Sequence, residues 1–293
     1  MRFQNVIIVG SGQLALWCAA YIKEKTESTN NTSYIYFDTS DKISVMMEKG
    51  LRLQKIKYEC GNKNFIFEKI RKTNGYTLVI SAINPFLFPK DIVKDKKIEI
   101  INCHQSLLPN HPGRNAEAWA IFEGDKVAGV TWHKVTEDVD AGNILIQKQI
   151  KLTDEITSCQ LFKKQINIAY KAFIELMSEF LNQQVWERVQ EGKDIMKRKI
   201  HYSWEVPNDG YLDLKWDSKK ISAFLRAMDY GVLCILGYPK IVINGQEYYF
   251  KKYEIEKLVQ PNVDVVLKKE EKQILIYRDN LEFKLLQYSK NKR

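Results

Sequence analysis

Strand-like and helix-like apolar patterns alternate along the first two thirds of the chain. Four short apolar runs, at residues 5–9, 34–37, 76–81 and 98–101, have the length and the β-branched content of buried strands. Apolar residues at three- and four-residue steps mark helices, the longest of which spans residues 158–181. Because strands and helices take turns, we predict an α/β domain whose mostly parallel sheet is covered by helices.

The pattern changes after a polar connector near residue 200. The remaining part contains one predicted helix, at residues 221–227, and otherwise strand-like runs. Asn244-Gly245 between two apolar runs is a strong signal for a two-residue hairpin, and Asp279-Asn280 predicts a later turn between strands. We therefore predict two domains, a larger one at residues 1–200 and a smaller β-rich one at residues 201–293.

A dense group of polar residues follows the apolar run at residues 98–101, where open α/β sheets bind their ligands. Asn102 and His104 are two residues apart, so their side chains point the same way from an extended backbone. Asp140 lies in a turn-like segment after a second β-rich run, from where its carboxylate can orient the imidazole of His104. Strand alternation puts Trp132 and His133 on opposite faces, and we interpret His133 as structural.

These residues form a recognisable signature. The motif Asn-x-His-x-Ser-x-Leu-Pro beginning at Asn102, followed by Asp-x-Gly at Asp140, resembles that of the folate-dependent formyltransferase family. The resemblance implies that Asn102, His104 and Asp140 are a catalytic triad in a Rossmann-like domain. The strings at residues 113–120 and 129–133 most resemble the branches that modify nucleotide-linked sugars or form part of peptide synthetases. The same resemblance implies an accessory C-terminal domain and a homodimer.

The resemblance also implies the ligands. The formyl donor would be 10-formyltetrahydrofolate, and the acceptor would be the amine of a nucleotide-linked amino-deoxy sugar. In the resembled family, a loop matching residues 82–89 packs against the pterin ring of the folate. The residues that we expect to contact the donor are Ile83, Pro85, Phe86, Leu87 and Asp138; alternatively, the loop at residues 82–89 is simply part of the core.

Two helix starts supply candidate substrate contacts, since helix N-termini attract anions. Ser11 and Gln13 lie in the Gly-x-Gly turn after the first strand, and Arg114 and Asn115 begin a predicted helix at residues 115–122. Asn115 would alternatively be a simple N-cap. The Gly-x-Gly turn is also a feature of dinucleotide sites, but Ala15 replaces the third glycine, which disfavours that interpretation.

Composition and net charge limit the kinds of ligand and partner that we expect for this protein. The chain has 293 residues and a formal net charge of +9, which suits an anionic ligand. Its five cysteines show no paired spacing, so we expect reduced thiols and no metal site. No segment approaches the ~18 uncharged apolar residues of a membrane span, and the N-terminus does not resemble a secretory signal. We therefore expect a cytoplasmic protein without a membrane partner.

Three alternatives remain open at the level of the sequence. Methionyl-tRNA formyltransferase would suit the positive charge, although the turn at residues 109–115 differs from that branch, so nucleic acid is the less favoured partner. A formyltetrahydrofolate hydrolase would use the same three residues to direct water at the formyl carbon. A module that binds folate or nucleotide without catalysis is the third alternative.

Overall fold

The computed structural model describes residues 3–27, 32–181, 187–190 and 199–290, apart from the side chains of residues 179–181 and 259–266. Helices and strands follow the predicted alternation. In chain order the elements are β1 (Asn5–Gly10), α1 (Gly12–Glu27), β2 (Ser33–Asp38), α2 (Val45–Leu53), β3 (Tyr58–Cys60), α3 (Lys63–Arg71), β4 (Thr77–Ala82), α4 (Lys90–Val93), β5 (Ile98–His104), α5 (Ala116–Glu123), β6 (Val127–Lys134), β7 (Ile144–Lys151), α6 (Ser158–Leu181), α7 (Ser218–Met228), β8 (Lys240–Ile243), β9 (Gln246–Tyr249), β10 (Lys252–Lys269), β11 (Gln273–Leu286) and β12 (Ser289–Lys290).

A seven-stranded sheet forms the centre of the first compact unit, which comprises residues 1–113, 129–150 and 164–200. Its order is β3-β2-β1-β4-β5-β6-β7; neighbouring strands from β3 to β5 are parallel, and β6 runs antiparallel to β5. Alternate residues of β1 enter separate hydrophobic clusters on the two faces: Val6 and Ile8 join one, Ile7 and Val9 the other. The predicted Rossmann-like, mostly parallel sheet is confirmed.

Strand β5 is longer than its apolar run. We predicted that the strand would end near Ile101, but it continues to His104 because residues 101–104 pair with residues 131–134 of β6. Backbone pairing with a neighbouring strand satisfies the peptide groups of Asn102 and His104 in spite of their polar side chains. Asn102 and His104 therefore lie at the end of strand β5, within the sheet, and not in the loop that follows it.

Close packing accounts for the first glycine of the Gly-x-Gly turn. A Cβ at Gly10 would overlap the carbonyl oxygen of Ala82, so the ends of β1 and β4 meet only because residue 10 has no side chain. In a dinucleotide site an acidic residue after the glycine turn binds the ribose, but Asp38 at the end of β2 is buried and accepts hydrogen bonds from Tyr36 and Ser40. The burial and the hydrogen bonds of Asp38 count against a dinucleotide site.

The second compact unit comprises residues 114–128, 151–163 and 201–293. Helix α7 begins after Asp217, whose carboxylate accepts from the Lys220 N–H, and its buried face packs with the hydrophobic residues of β8 and β11. The hairpin predicted at Asn244-Gly245 is present, with both residues in the left-handed region, as a type I′ turn requires.

The turn predicted at Asp279-Asn280 is wrong. Strand β11 runs through both residues and pairs with β10 along a long antiparallel hairpin that contains two register shifts. Asp279 has a positive φ of 53°, and its carboxylate accepts a hydrogen bond of 2.9 Å from the Ser218 N–H. The turn-like composition at Asp279-Asn280 therefore corresponds to a local irregularity within the strand and not to a turn. Among the described residues, no helix has the length and apolar content needed to cross a membrane.

Candidate active site at the end of the parallel sheet

Three neighbouring strands place polar side chains at the same edge of the sheet. Ser81 near the end of β4 is in register with Asn102 of β5, which in turn lies opposite His133 of the antiparallel β6. His104 follows two residues after Asn102, so strand alternation keeps the two on one face. Sheet pairing thus gathers residues that are up to 52 positions apart along the chain, from Ser81 to His133.

His104 is buried, and both of its ring nitrogens face oxygen atoms. Its Nδ1 lies 3.5 Å from Oδ2 of Asp140, and its Nε2 lies 2.8 Å from the carbonyl oxygen of His111. Neither oxygen carries a hydrogen atom to share, so each contact is best made when the facing nitrogen carries a proton. A proton on either ring nitrogen of His104 would therefore face a hydrogen-bond acceptor.

Backbone hydrogen bonds hold the turn that carries Asp140. The Gly113 N–H donates to Oδ2 of Asp140 over 2.7 Å. The side-chain amide of Gln190 donates to the carbonyl oxygens of Asp140 and Gly142, over 2.7 and 2.8 Å. Gly142 lies so close to β6 that a Cβ would overlap the carbonyl oxygen of Lys134. These contacts fix a carboxylate on a turn, where side chains are otherwise free to move.

The charge of Asp140 is stabilised by its surroundings. Burial acts to raise the pKa of this carboxyl, but the neighbouring His104, the contact with His133 and the Gly113 N–H together hold the pKa well below its usual range. Asp140 is therefore ionised at neutral pH. An ionised carboxylate beside His104 in turn stabilises a proton on that imidazole.

His133 is completely enclosed and contacts two of the three predicted catalytic residues. Its Nε2 lies 3.2 Å from Nδ2 of Asn102 and 3.4 Å from Oδ1 of Asp140. Trp132, on the opposite face of β6, packs against Phe173 of α6. Asn102, His133, Asp140 and His104 consequently form one contiguous group, although Asn102 and His104 were predicted to converge without His133.

The loop predicted to contact the donor has a mixed environment. Ile83 is half-buried with a positive φ of 56°, and Phe86 is half-buried with its ring 6.4 Å from that of Phe67. Pro85 is exposed, and the side chain of Leu87 is 74% exposed. The loop therefore combines core packing with an exposed apolar surface directly after β4.

The remaining candidate residues lie at several places. In the first unit, Ser11 donates to the carbonyl oxygen of Ile83 over 3.4 Å, whereas Gln13 and Asp138 are exposed. In the second unit, the side chain of Arg114 is exposed, and its N–H donates to the carbonyl oxygen of His201. Asn115 occupies the N-cap position of α5 in a left-handed conformation, but its side chain makes no capping hydrogen bond.

Comparison with known proteins identifies the signature region. Residues 53–177 match the family model for formyl transferases, and this range includes Asn102, His104, His133 and Asp140. Residues 53–177 of the chain therefore resemble a formyl transferase domain. The loop after β4, the paired ends of β5 and β6 and the Asp140 turn all lie within these matched residues.

Proteins of known function resemble part of the chain at moderate identity. GDP-perosamine N-formyltransferase of Brucella melitensis is 29% identical over 180 residues, which are 61% of this chain and 65% of that protein. Methionyl-tRNA formyltransferase of Thermodesulfovibrio yellowstonii is 28% identical over 185 residues, which are 59% of this chain and 58% of that protein. The chain thus matches less than two thirds of the length of each relative.

A solved structure shares the fold of nearly the whole chain. The N-formyltransferase of Helicobacter canadensis, crystallised with folinic acid and dTDP-3-aminofucose, superposes with a TM-score of 0.72 at 16% identity. The superposition covers 99% of this chain and 100% of that chain. At this low identity the likeness shows a common fold.

Ser81 and His133 are the residues whose connection to the site sequence reasoning missed. The sequence favours a structural role for His133, because it does not reveal that β6 pairs with β5 in the register that sets His133 opposite Asn102. For Ser81 the sequence predicts only a position in a strand. Its position at the end of an apolar strand, next in the sheet to Asn102, was the available signal.

Proposed function

We propose that this chain is an N-formyltransferase that moves a formyl group from 10-formyltetrahydrofolate to the amine of a nucleotide-linked amino-deoxy sugar. The observation that carries the proposal is the contiguous group of Asn102, His133, Asp140 and His104 at the carboxyl end of the sheet. A hydrogen-bond donor, a proton-carrying imidazole and a buried carboxylate are the groups that formyl transfer to an amine requires.

Asn102 supplies the hydrogen bond to oxygen. Nucleophilic attack on a formyl carbon places negative charge on its oxygen, and an amide N–H aimed at that oxygen stabilises the charge as it develops. Such a donor commonly contributes ~10²-fold to 10³-fold in rate. Asn102 is half-buried, so its amide is shielded from bulk water while remaining open to a ligand.

His104 and Asp140 serve the proton transfers of the reaction. The attacking amine must lose a proton and the folate nitrogen must gain one, and His104 can carry such a proton at Nε2. In this structure Nε2 contacts the His111 carbonyl oxygen, and we propose that the reacting nitrogen replaces that contact. Asp140 stays ionised, orients the ring through Nδ1 and stabilises the charged imidazole.

The donor supplies the formyl carbon, and the loop after β4 is suited to hold its flat ring. Exposed Leu87 and Pro85 offer apolar surface near the end of the strand that carries Ser81. Ile83, Phe86 and Asp138 are our further candidates for donor contacts. Ser11, Gln13, Arg114 and Asn115 are the candidates for the nucleotide-linked sugar, because each lies at or next to a helix start.

The sugar acceptor is preferred over two rivals. GDP-perosamine N-formyltransferase and the dTDP-3-aminofucose complex are both similar to this chain and both concern nucleotide-linked amino sugars. The similarity to methionyl-tRNA formyltransferase covers a comparable share of the chain, so charged transfer RNA is the second candidate acceptor. Transfer of the formyl group to water, as in a formyltetrahydrofolate hydrolase, is the third.

A panel assay separates these acceptors. The purified chain is incubated with 10-formyltetrahydrofolate and with GDP-, dTDP- or UDP-linked amino-deoxy sugars, and mass spectrometry follows the products. We expect one sugar nucleotide to gain the mass of one formyl group. Formylation of charged transfer RNA alone, or formate release at the same rate without any amine, would replace the proposal with the corresponding rival.

We further propose that the enzyme acts in the cytoplasm as a homodimer. A cytoplasmic location is consistent with the family that the sequence resembles, and the sugar-modifying branch of that family usually forms dimers. Light scattering on the purified protein measures the mass in solution, for which we expect twice the 34.3 kDa of one chain. A mass of one chain at the concentration of the activity assay would contradict the dimer.

A further inference from the structure

The amide of Asn102 lies in the middle of a chain of hydrogen bonds. On one side, Oγ of Ser81 is 2.7 Å from Oδ1 of Asn102, and Nδ2 of Asn84 is 3.3 Å from the same Ser81 oxygen. On the other side, Nδ2 of Asn102 is 3.2 Å from Nε2 of His133. An amide group has similar shape at both ends, so these neighbours determine which end is oxygen and which is nitrogen.

At the Asn84 end of this series of hydrogen bonds, a backbone N–H fixes the donor-to-acceptor direction. The Phe86 N–H is 3.0 Å from Oδ1 of Asn84, and an N–H can only donate, so that end of Asn84 must be the oxygen. The NH₂ group of Asn84 then donates to the Ser81 hydroxyl. The Ser81 hydroxyl donates its own hydrogen to Oδ1 of Asn102.

At the His133 end, a backbone carbonyl favours the same donor-to-acceptor direction. Nδ1 of His133 lies 2.8 Å from the carbonyl oxygen of Lys134, which can only accept, so Nδ1 carries the hydrogen. In a neutral ring Nε2 then has a lone pair and accepts from the NH₂ group of Asn102. Both ends of this series of hydrogen bonds therefore agree with one orientation of the Asn102 amide.

Asp140 competes for the same nitrogen. Its Oδ1 is 3.4 Å from Nε2 of His133, so a proton on Nε2 would donate to the carboxylate and deprive the Asn102 N–H of its acceptor. The chain of hydrogen bonds opposes that proton. With His133 neutral, its contribution to the lowered pKa of Asp140 is lost, and the proton of His104 and the Gly113 N–H stabilise the carboxylate.

We propose that Ser81, Asn84 and His133 are positioning residues, which fix the Asn102 amide so that its second N–H faces the formyl oxygen and keep His133 as the neutral Nδ1–H tautomer. This inference rests on the proposed function, because it assigns the purpose of the fixed amide to formyl transfer. Asn84 lies in the loop proposed to hold the donor, so the chain also links that loop to the amide.

Imidazole nitrogen NMR tests the tautomer without any activity measurement. The chain has four histidines, and comparison with a His133→Gln variant assigns the His133 signals. We expect the wild-type spectrum at neutral pH to show His133 protonated on Nδ1 and unprotonated on Nε2, and Ser81→Ala to change the Nε2 signal. Ser158→Ala, which removes another buried serine hydroxyl, should leave it unchanged.

Steady-state kinetics test whether the fixed orientation of the Asn102 amide contributes to formyl transfer. We expect Ser81→Ala to lower kcat roughly tenfold with little change in KM, a smaller loss than the ~10²-fold expected for removing the donor itself with Asn102→Ala. Ser81→Thr, which keeps the hydroxyl, should recover most of the lost rate, and Ser158→Ala should retain the wild-type rate.

The outcomes distinguish this inference from the proposed function. A wild-type His133 that carries a proton on Nε2 would overturn the inference whether or not the enzyme transfers formyl groups. An unchanged kcat in Ser81→Ala would overturn it as well. If the tautomer is as expected but no amine is formylated, the result supports the positioning of the Asn102 amide. The same result contradicts the proposed function and with it the role of this amide in formyl transfer.

Discussion

Asp140 holds its negative charge in a nearly closed space between two imidazole rings. Replacing it by asparagine preserves the shape of the side chain but removes the charge that stabilises protonated His104. We expect Asp140→Asn to lower kcat by roughly 10²-fold to 10⁴-fold, the range typical for loss of positioned acid-base catalysis. Steady-state kinetics with the formyl donor and the acceptor sugar measure the effect. Asp154→Asn, an exposed change outside the site, should retain the wild-type rate.

The lowered pKa of Asp140 also makes the stability of the fold depend on pH. A carboxyl whose pKa is lower in the folded chain stabilises the fold above its unfolded value of about 3.9, and this contribution is lost as the pH falls through the folded value. We expect the difference in free energy of unfolding between wild type and Asp140→Asn to shrink from about pH 5 downward. Urea unfolding at several pH values measures it, and a constant difference would contradict the account.

The identities of the site residues were predictable where a local motif carried them. Asn102, His104 and Asp140 follow from the signature, since Asn102 and His104 share one strand face and Asp140 shares a turn with Gly142. The connections of Ser81 and His133 to the site were not predictable, because they depend on pairing between strands that are distant in sequence. Strand register is set by the whole sheet and leaves no local trace.

At the scale of the element, the close approach of the Asp140 turn to β6 is the feature most open to test. Gly142→Ala would push a Cβ into the carbonyl oxygen of Lys134, displacing the carboxylate from His104. We expect a loss of about 1–3 kcal/mol in the free energy of unfolding, typical of overpacking, together with a large loss of activity. Urea unfolding and initial rates measure the two effects.

Gly124→Ala provides the matched control for Gly142→Ala. Gly124 has a positive φ of 80°, but a Cβ there would meet no atom within 4 Å. We expect this variant to lose only about 1 kcal/mol from the strained backbone and to retain activity. Equal effects of the two substitutions on kcat would show that the fit of the Asp140 turn against β6 does not matter for the reaction.

Element types were largely predictable, and the errors have identifiable causes. The helix at Ser158–Leu181 and the Asn244-Gly245 hairpin follow from periodicity and turn chemistry that act locally. Strand β5 extended beyond its apolar run because β6 satisfies its backbone, and β11 continued through Asp279-Asn280 because β10 pairs along it. Both errors arise where a partner strand overrides local composition.

At the scale of the whole molecule, the net charge of +9 distinguishes the candidate acceptors by their salt dependence. A nucleotide-linked sugar presents few phosphates, whereas transfer RNA releases many counterions on binding. We expect kcat/KM for the sugar nucleotide to fall less than tenfold between 50 and 200 mM salt, far short of the roughly 10³-fold to 10⁵-fold losses of extensive phosphate contacts. Rates measured across a salt series test this, and a loss in the latter range would favour nucleic acid.

Tracing the formyl carbon tests the central claim most directly. The enzyme is given a donor whose formyl carbon is labelled with carbon-13 and the acceptor sugar nucleotide, and NMR follows the label over a single turnover. We predict that the label moves to the sugar amine with wild type and stays on the folate with His104→Ala and Asp140→Asn. Label that reaches the amine at an equal rate in all three proteins would contradict the account.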